Sequence, residues 1–232
     1  MTAEELLSQF RLEVYDTQAP YLWADSEAYR YMNDAYRMFA RLTGGIPDST
    51  SSITQVPIVA LQPTSDVSPL ILRFRTAYLA SSGRKIDILN DVDEPLSGRT
   101  DYGGASFYGR NPVPGPVHAM IIGEDRDAAR GIVRWVNVPA QNDTVMLSVY
   151  RLPLDPVPPG GAGFDFPEIG EEHVEHLTKW MKHRAYGKQD AETFDAQARD
   201  RFNAEFREYC AQVKSEWDRY RSKTQVVQYG GI

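Results

Sequence analysis

The sequence is poor in cysteine and has no long apolar run. Cys210 is the only cysteine in 232 residues. An internal disulfide is therefore excluded, and the position of Cys210 in a predicted helix favours a plain packing or surface role. No run approaches the roughly 18 consecutive apolar residues of a membrane span. The opening Met1-Thr-Ala-Glu-Glu5 lacks the basic and apolar regions of a signal peptide, so we expect the protein to stay in the compartment where it is made.

Basic residues are also in deficit. The formal net charge is −7, whereas a protein that grips nucleic acid over a wide surface needs clustered Lys and Arg to displace phosphate counterions. A channel through which DNA slides is better lined with acidic side chains, because they do not hold the phosphates. The charge therefore disfavours a DNA clamp and permits a conduit, which DNA passes without sequence-specific binding.

Catalytic signatures are missing as well. There is no Gly-x-Ser-x-Gly elbow. The histidines between Glu171 and His183 lack the Glu three residues earlier that a di-iron helix needs. Glu172 stands where an inverted zinc peptidase needs its first His. We therefore predict a protein that is not an enzyme and needs no cofactor or metal. A small hydrolase with an unrecognised acidic site is the alternative left open.

Two helices are predicted in an N-terminal arm, residues 1–45. Thr2 and Glu5 have the spacing of a capping box for a helix over about residues 3–14. Asp25 is the predicted N-cap of a second helix, which ends near Leu42 before two glycines. The predicted buried stripe of this second helix consists of Ala28, Met32, Ala35, Phe39 and Leu42.

From residue 46 to residue 163 the hydrophobic period becomes strand-like. Six segments are rich in β-branched residues and bounded by turn residues: 53–60, 70–79, 85–89, 117–122, 132–138 and 144–151. Pro57 places its strand at a sheet edge, since proline cannot donate to a ladder. The pattern predicts an antiparallel β-meander with long loops, inserted between helical arms.

Two loops in this region, 95–116 and 154–163, are dense in proline and glycine. Loops of this length within a domain are usually functional or mobile. Tyr102, Phe107 and Tyr108 give the first loop aromatic groups that can anchor it on a neighbouring subunit or on a tail protein. A partner-contacting loop and a merely flexible one are both open interpretations.

Residues 164–223 are predicted as a C-terminal helical pair that packs with residues 1–45 as one helical domain. Asp195 is the predicted N-cap of the second and longer helix, which ends near Lys223. The buried stripe of the first helix is Val174, Leu177, Met181 and Ala185. That of the second is Phe194, Ala198, Phe202, Phe206, Tyr209, Val213, Trp217 and Tyr220.

The last residues, 224–232, form a tail in which polar and apolar residues alternate. It is too short to fold alone, yet apolar enough to add as a strand to another chain's sheet. The predicted fold class is therefore α+β. It is an α-helical bundle of two N-terminal and two C-terminal helices, with an inserted antiparallel β-meander and an extended C-terminal tail.

Four stretches carry a resemblance to a known family. They are residues 16–36, residues 72–84, the strand Leu147-Ser-Val-Tyr-Arg-Leu-Pro153 and, most specifically, Arg184-Ala-Tyr-Gly-Lys-Gln-Asp-Ala-Glu-Thr-Phe-Asp195. On these stretches, and over nearly its full length, the chain resembles the head-to-tail adaptor (connector or head completion) proteins of tailed bacteriophages. The motif residues that we single out are Arg184, Ala185, Tyr186, Lys188, Gln189, Asp190, Phe194 and Asp195.

The resemblance implies a structural protein of the virion neck, assembled in the host cytoplasm. It implies a ring, usually of twelve copies, that docks under the portal protein, extends the DNA channel and meets a tail or nozzle protein. In such families the C-terminal segment reaches into the portal, which here implicates Gln225, Val226, Val227, Gln228 and Tyr229. The alternative within this class is another phage neck or tail structural protein with a different neighbour. The 95–116 loop and Gly170, which interrupts a predicted helix, depart from the family pattern.

Overall fold

Two compact units make up the chain, and the computed structural model describes residues 1–90, 114–122, 131–189 and 193–221 of it. We call Met1–Gly44 together with Pro153–Ile232 the helical unit, and Gly45–Leu152 the sheet unit. Within the described ranges, no helix is long and apolar enough to cross a membrane.

The described part of the helical unit contains the helices α1 (Ala3–Glu13), α2 (Asp25–Leu42), α3 (Glu171–Val174), α4 (Leu177–Tyr186) and α5 (Ala196–Arg221). The capping box predicted for α1 is confirmed, because Thr2 and Glu5 each accept a hydrogen bond from the other's backbone N–H. The N-cap predicted for α2 is wrong by one residue. Ala24 is the N-cap, and it donates its N–H to the carboxylate of Glu27 in the first turn.

Aromatic side chains fill the core of the helical unit. Phe10, Phe166 and Phe206 are fully buried. Many of the rings meet edge to face, as Tyr36 and Phe166 do at 5.4 Å between centroids, a geometry that adds to the free energy of burial. Every member of the stripe predicted for the first helix of the C-terminal pair is buried: Val174, Leu177, Met181 and Ala185. The prediction of one continuous helix is wrong, because the stripe is divided between α3 and α4.

The described strands of the sheet unit are β1 (Ile46–Asp48), β2 (Gln55–Ile58), β3 (Thr64–Asp66), β4 (Ile71–Leu79), β5 (Lys85–Asn90), β6 (Pro114–Gly115), β7 (Ala119–Ile122), β8 (Ile132–Val136), β9 (Val138–Pro139) and β10 (Asp143–Arg151). Eight of them form one sheet in the order β1-β10-β4-β5-β7-β8-β3, with β2 also paired to β10. Strands β6 and β9 form a separate parallel pair. The long strands β4 and β10 pair along most of their length.

The eight-stranded sheet curls back on itself. Strands β2 and β3 lie far apart in the strand order, yet Ser65 Oγ donates a 2.7 Å hydrogen bond to the carbonyl oxygen of Pro57. Strand β2 pairs with β10 alone, so the edge position predicted from Pro57 is confirmed. The sheet has a buried core of its own, which includes Val56, Ile86, Trp135, Val145 and Val149.

The predicted fold class is wrong. The strands do not form a small antiparallel meander inserted in a helical bundle, because an eight-stranded curled sheet makes up a compact unit with a separate hydrophobic core. The sheet is also not purely antiparallel. Strand β5 pairs in parallel with β7, from Asp87 opposite Ala119 to Asn90 opposite Ile122. The extended C-terminal tail of the prediction lies outside the described residues.

The chain enters and leaves the sheet unit on paired strands. Ile46 in β1 lies opposite Arg151 in β10. Gly45, immediately before β1, has φ +93°, and a Cβ at this position would lie 2.8 Å from the Cβ of Tyr150. A side chain would therefore be strained and would collide with the neighbouring strand.

A buried ion pair joins the same two strands. Arg151 Nε donates to the carboxylate of Asp48, and both side chains are more than nine-tenths buried. The N–H of Thr50 and the N–H and hydroxyl of Ser51 donate to the same carboxylate. Burial opposes ionisation of Asp48, but these hydrogen bonds outweigh it and lower the pKa of Asp48. The carboxylate is therefore ionised and fixed.

Candidate interaction surface

The loop between α1 and α2 is fixed by the Arg11 guanidinium. This group donates to the Asp16 carboxylate at 2.7 Å, to the Trp23 carbonyl oxygen at 3.0 Å and to the Asp25 carboxylate. Asp16 also accepts the Leu22 N–H at 3.0 Å. Arg11 and Asp16 are both buried, so the loop is held at its two ends by charge-assisted hydrogen bonds with little competition from water.

Trp23 connects this loop to the segment that carries the most specific resemblance. Its indole Nε1 donates to the carbonyl oxygen of Ala185 at 3.2 Å. Its ring meets those of Phe10 and Tyr186 edge to face, at 6.0 and 5.9 Å between centroids. Two stretches on which the resemblance rests, 16–36 and 184–195, are therefore in contact within the helical unit.

The motif residues of 184–195 hold the end of α4 and the start of α5. Arg184 pairs with Asp34 at 3.3 Å, and Lys188 pairs with Glu27 at 3.1 Å. The roles of the others are also structural: Tyr186 stacks on Phe202, and the Asp195 carboxylate accepts the N–H of Ala198 at the start of α5. The N-cap predicted at Asp195 is confirmed by this bond. Gln189 and Phe194 are exposed, and Asp190 lies outside the described residues.

The α1–α2 loop exposes four apolar side chains, which we call the corner patch: Leu12, Tyr15, Tyr21 and Leu22. Their exposed fractions are 65%, 93%, 42% and 47%. Leu12 and Tyr15 are sequence neighbours of Arg11 and Asp16, the ring of Tyr21 lies 3.6 Å from the Arg11 guanidinium, and Leu22 is bonded to Asp16. The four side chains therefore surround one buried ion pair.

The corner patch has the properties of a protein-binding surface. Tyr15 is held at φ +58°, a conformation that tyrosine rarely adopts and that places its ring in solvent. Exposed apolar groups on a fixed backbone lose little conformational entropy on binding, and clustered ones mark contact sites. Sequence reasoning did not single out this patch. The available signal was Leu12, an apolar residue off the stripe that Leu6, Phe10 and Val14 form.

The interaction residues that were predicted from the sequence lie elsewhere. Tyr102, Phe107 and Tyr108 fall in the stretch 91–113, and the portal-binding set Gln225, Val226, Val227, Gln228 and Tyr229 falls after residue 221. Both sets are outside the described residues. The contacts assigned to them stay predictions.

His173 of α3 and His176, the N-cap of α4, are packed into the helical unit. His173 Nδ1 lies 2.8 Å from the Tyr209 hydroxyl, and the His176 ring lies 3.7 Å from the Tyr209 ring. Burial lowers the pKa of both histidines and raises that of Tyr209 to about 12. Burial likewise raises the pKa of the Cys210 thiol to about 12, so this cysteine is not a nucleophile at neutral pH. In the described part of the chain, no group of three or more His, Cys, Asp or Glu side chains could hold a metal ion.

The sheet unit contains a cavity of about 520 Å³. Ser81, Arg84 and Asp143 are among the residues that line it. Burial opposes ionisation of Asp143, but hydrogen bonds from Ser81 and the Thr144 N–H outweigh it and lower the pKa of Asp143. Asp143 is thus an ionised carboxylate held by these hydrogen bonds.

The family model described as SU10 adaptor protein matches residues 1–228. This span includes the whole sheet unit and nearly all of the helical unit. No curated protein matches the chain.

Proposed function

The chain belongs to the SU10 adaptor protein family, and we propose that it is the adaptor that links head to tail in the neck of a tailed phage. Family membership makes it a phage adaptor and a structural protein of the virion. The observation that carries the proposal is the family match over residues 1–228, since it covers both units. The proposed role is mechanical, and no catalysis is assigned to it.

The proposed assembly is a ring under the portal protein. We take twelve copies as the working number, because the resembling connector proteins usually have it. The ring extends the DNA channel from the portal and offers its far side to a tail or nozzle protein. It would form in the host cytoplasm and remain in the virion.

The tail supplies the proposed portal contact. Residues 225–229, Gln-Val-Val-Gln-Tyr, combine β-branched and aromatic side chains with polar ones, a composition that suits addition as a strand to an exposed sheet edge. Replacing Val226 and Val227 by Asp would place charges at the paired positions and should abolish stable portal binding. Replacing Ser222 and Thr224 by Asp adds the same charge just before residues 225–229 and should leave binding intact.

The corner patch supplies a second proposed contact with a virion protein. Its four side chains are exposed and fixed, which favours a permanent partner over a transient one. Leu12→Ser should weaken assembly, whereas Leu61→Ser should not. Leu61 is 68% exposed, about as much as Leu12, but it belongs to the sheet unit.

The net charge of −7 supports a channel that does not retain DNA. We expect acidic side chains to outnumber basic ones on the inner wall of the ring. A ring structure whose lumen is lined mainly by Lys and Arg would contradict this part of the proposal.

Electron microscopy of the purified protein mixed with its portal tests the function directly. The expected result is a closed ring of extra density on the tail side of the portal. A portal that remains bare at saturating adaptor concentration would overturn the proposal. It would favour the alternative of a neck or tail structural protein with a different neighbour.

A further inference from the structure

The negative charge of the chain is concentrated in one unit. The helical unit has 15 Lys and Arg against 21 Asp and Glu, whereas the sheet unit has 10 against 11. The formal net charge is therefore −6 for the helical unit and −1 for the sheet unit. The two units present different electrostatic surfaces to a neighbour.

A basic and aromatic surface runs across the middle of the sheet. We call it the basic strip: Arg73, Arg75 and Tyr78 of β4 and Lys85 of β5, all of them exposed. Arg73 lies opposite Tyr150 of β10, and Tyr78 lies opposite Lys85. Ile86 and Val149, which are sequence neighbours of Lys85 and Tyr150, belong to the buried core. So does Ala77, because a register shift opposite Ser148 and Val149 separates its side of β4 from that of Arg73. The strip is thus on the face that points away from that core.

The basic strip is held in place by an aromatic ring. The guanidinium groups of Arg73 and Arg75 lie 4.5 and 5.2 Å from the centre of the Tyr150 ring. Among the described residues, no carboxylate forms an ion pair with Arg73, Arg75 or Lys85. Stacked guanidinium groups retain their planar sets of N–H donors, which match carboxylates in geometry.

We propose that the basic strip contacts the acidic helical unit of a second copy of this chain. The proposal rests on the proposed function, because a ring needs two different faces of each subunit to meet. Charge complementarity favours the helical unit as the surface that meets the strip, since this unit carries most of the chain's negative charge. Exposed Tyr and Arg side chains together are also typical of protein interfaces.

A protein partner fits the basic strip better than DNA does. Binding to a DNA backbone at physiological salt requires a wide field of cations. The strip contains three cations, and two of them stack on one tyrosine. Placing these cations between copies also keeps them away from the DNA in the channel.

The test uses the full chain and its portal, with the number of adaptor copies on each portal counted by mass photometry. If copies contact one another, wild-type adaptor fills portals cooperatively, and partly filled portals are rare. Arg73→Glu/Arg75→Glu should still bind as single copies through other contacts, but it should fill portals without cooperativity. The concentration for half-filling should rise about tenfold or more, since like charges now face each other. Raising the salt concentration should shift wild type in the same direction.

Gln62→Glu/Gln141→Glu is the matched control for Arg73→Gln/Arg75→Gln, because it changes two exposed residues of the sheet unit outside the strip and lowers the net charge by the same amount. It should fill portals as wild type does. Thermal unfolding of the variants at the wild-type temperature would show that the fold is intact. If Arg73→Glu/Arg75→Glu is destabilised, Arg73→Gln/Arg75→Gln takes its place in the test.

Each contrary outcome has a defined meaning. The inference is overturned if Arg73→Glu/Arg75→Glu fills portals cooperatively at the wild-type concentration. A variant that fills portals in this way and changes only the retention of DNA overturns it too. Equal loss in the control also overturns it, since net charge would then be the cause. Loss of single-copy binding would assign the strip to the portal. If wild type does not bind the portal at all, the proposed function itself fails.

Discussion

The two units use a buried ion pair for different purposes. In the helical unit, Arg11 and Asp16 fix a loop whose neighbouring side chains, those of the corner patch, are left in solvent. In the sheet unit, Asp48 and Arg151 join two strands at the point where the chain enters and leaves the sheet. One pair therefore supports a surface, and the other supports the fold. The role of a buried ion pair therefore depends on the residues that surround it.

The largest effect should come from the aromatic core of the helical unit. Phe206 is fully buried, and Phe206→Ala should lower the free energy of unfolding by about 3–5 kcal/mol through lost transfer energy and the cavity left behind. Phe202→Ala, at a partly exposed position of the same helix, should cost clearly less. Urea unfolding measures both values, and hydrogen exchange should show the change in the helical unit. Equal losses would mean that Phe206 is not a core residue.

The next effect should appear in the sheet unit. Asp48→Asn removes the charge from a buried pair, and breaking such a pair costs about 3 kcal/mol or more. Faster hydrogen exchange should be confined to β1 and the neighbouring part of β10. Asp66→Asn, an exposed carboxylate in β3, should be neutral. If the Asp48 variant is as stable as the Asp66 variant, the pair does not hold the strands together.

The two units should also respond to acid at different pH values. Burial keeps the pKa of His173 below its usual 6.5, so the unfolded chain binds a proton before the folded one does. The helical unit should lose stability as the pH falls below about 6.5. Asp48 has a lowered pKa, so its contribution to the sheet unit is kept until the pH falls below about 4. Burial also lowers the pKa of His176 in the same unit. Hydrogen exchange from pH 7 to pH 4, with His173→Gln/His176→Gln as the control that removes the first effect, separates the units.

The smallest effect concerns Tyr15 and should be opposite in sign for stability and assembly. Tyr15 has φ +58° and is 93% exposed. Asparagine tolerates this conformation better, so Tyr15→Asn should raise the free energy of unfolding by about 0.5–1 kcal/mol. The same variant should bind its virion partner more weakly. A variant that is less stable than wild type would show that the ring of Tyr15 contributes to the fold.

Local signals in the sequence predicted the helices well. The Thr2 and Glu5 capping box and the Asp195 cap are short-range hydrogen-bond patterns, and the structure contains both. The stripe predicted for α5 is right at Phe206 and Val213 but wrong at its ends, since Phe194 is 47% and Tyr220 is 90% exposed. Helical periodicity predicts on which side of the helix a residue lies. It does not predict how far along the helix another element packs against that side.

Features that depend on long-range contacts could not be predicted from the sequence. The six predicted strand segments each overlap an observed strand, yet the short strands β1 and β3 contain too few residues for a period to be visible. The parallel pairing of β5 with β7 depends on the path of the chain between them, which no local pattern specifies. The corner patch was missed because it depends on the Arg11 and Asp16 ion pair, which turns four apolar side chains outward.

The paired entry and exit of the sheet unit has a consequence for how such chains can be rebuilt. Because Ile46 lies opposite Arg151, the two ends of the 45–152 segment are about 5 Å apart, the usual separation across an antiparallel pair. A segment with adjacent ends can be cut out and closed with a short turn, or replaced by another, without lengthening the path between α2 and the C-terminal helices. The sheet unit is therefore a cassette that evolution or an engineer can exchange.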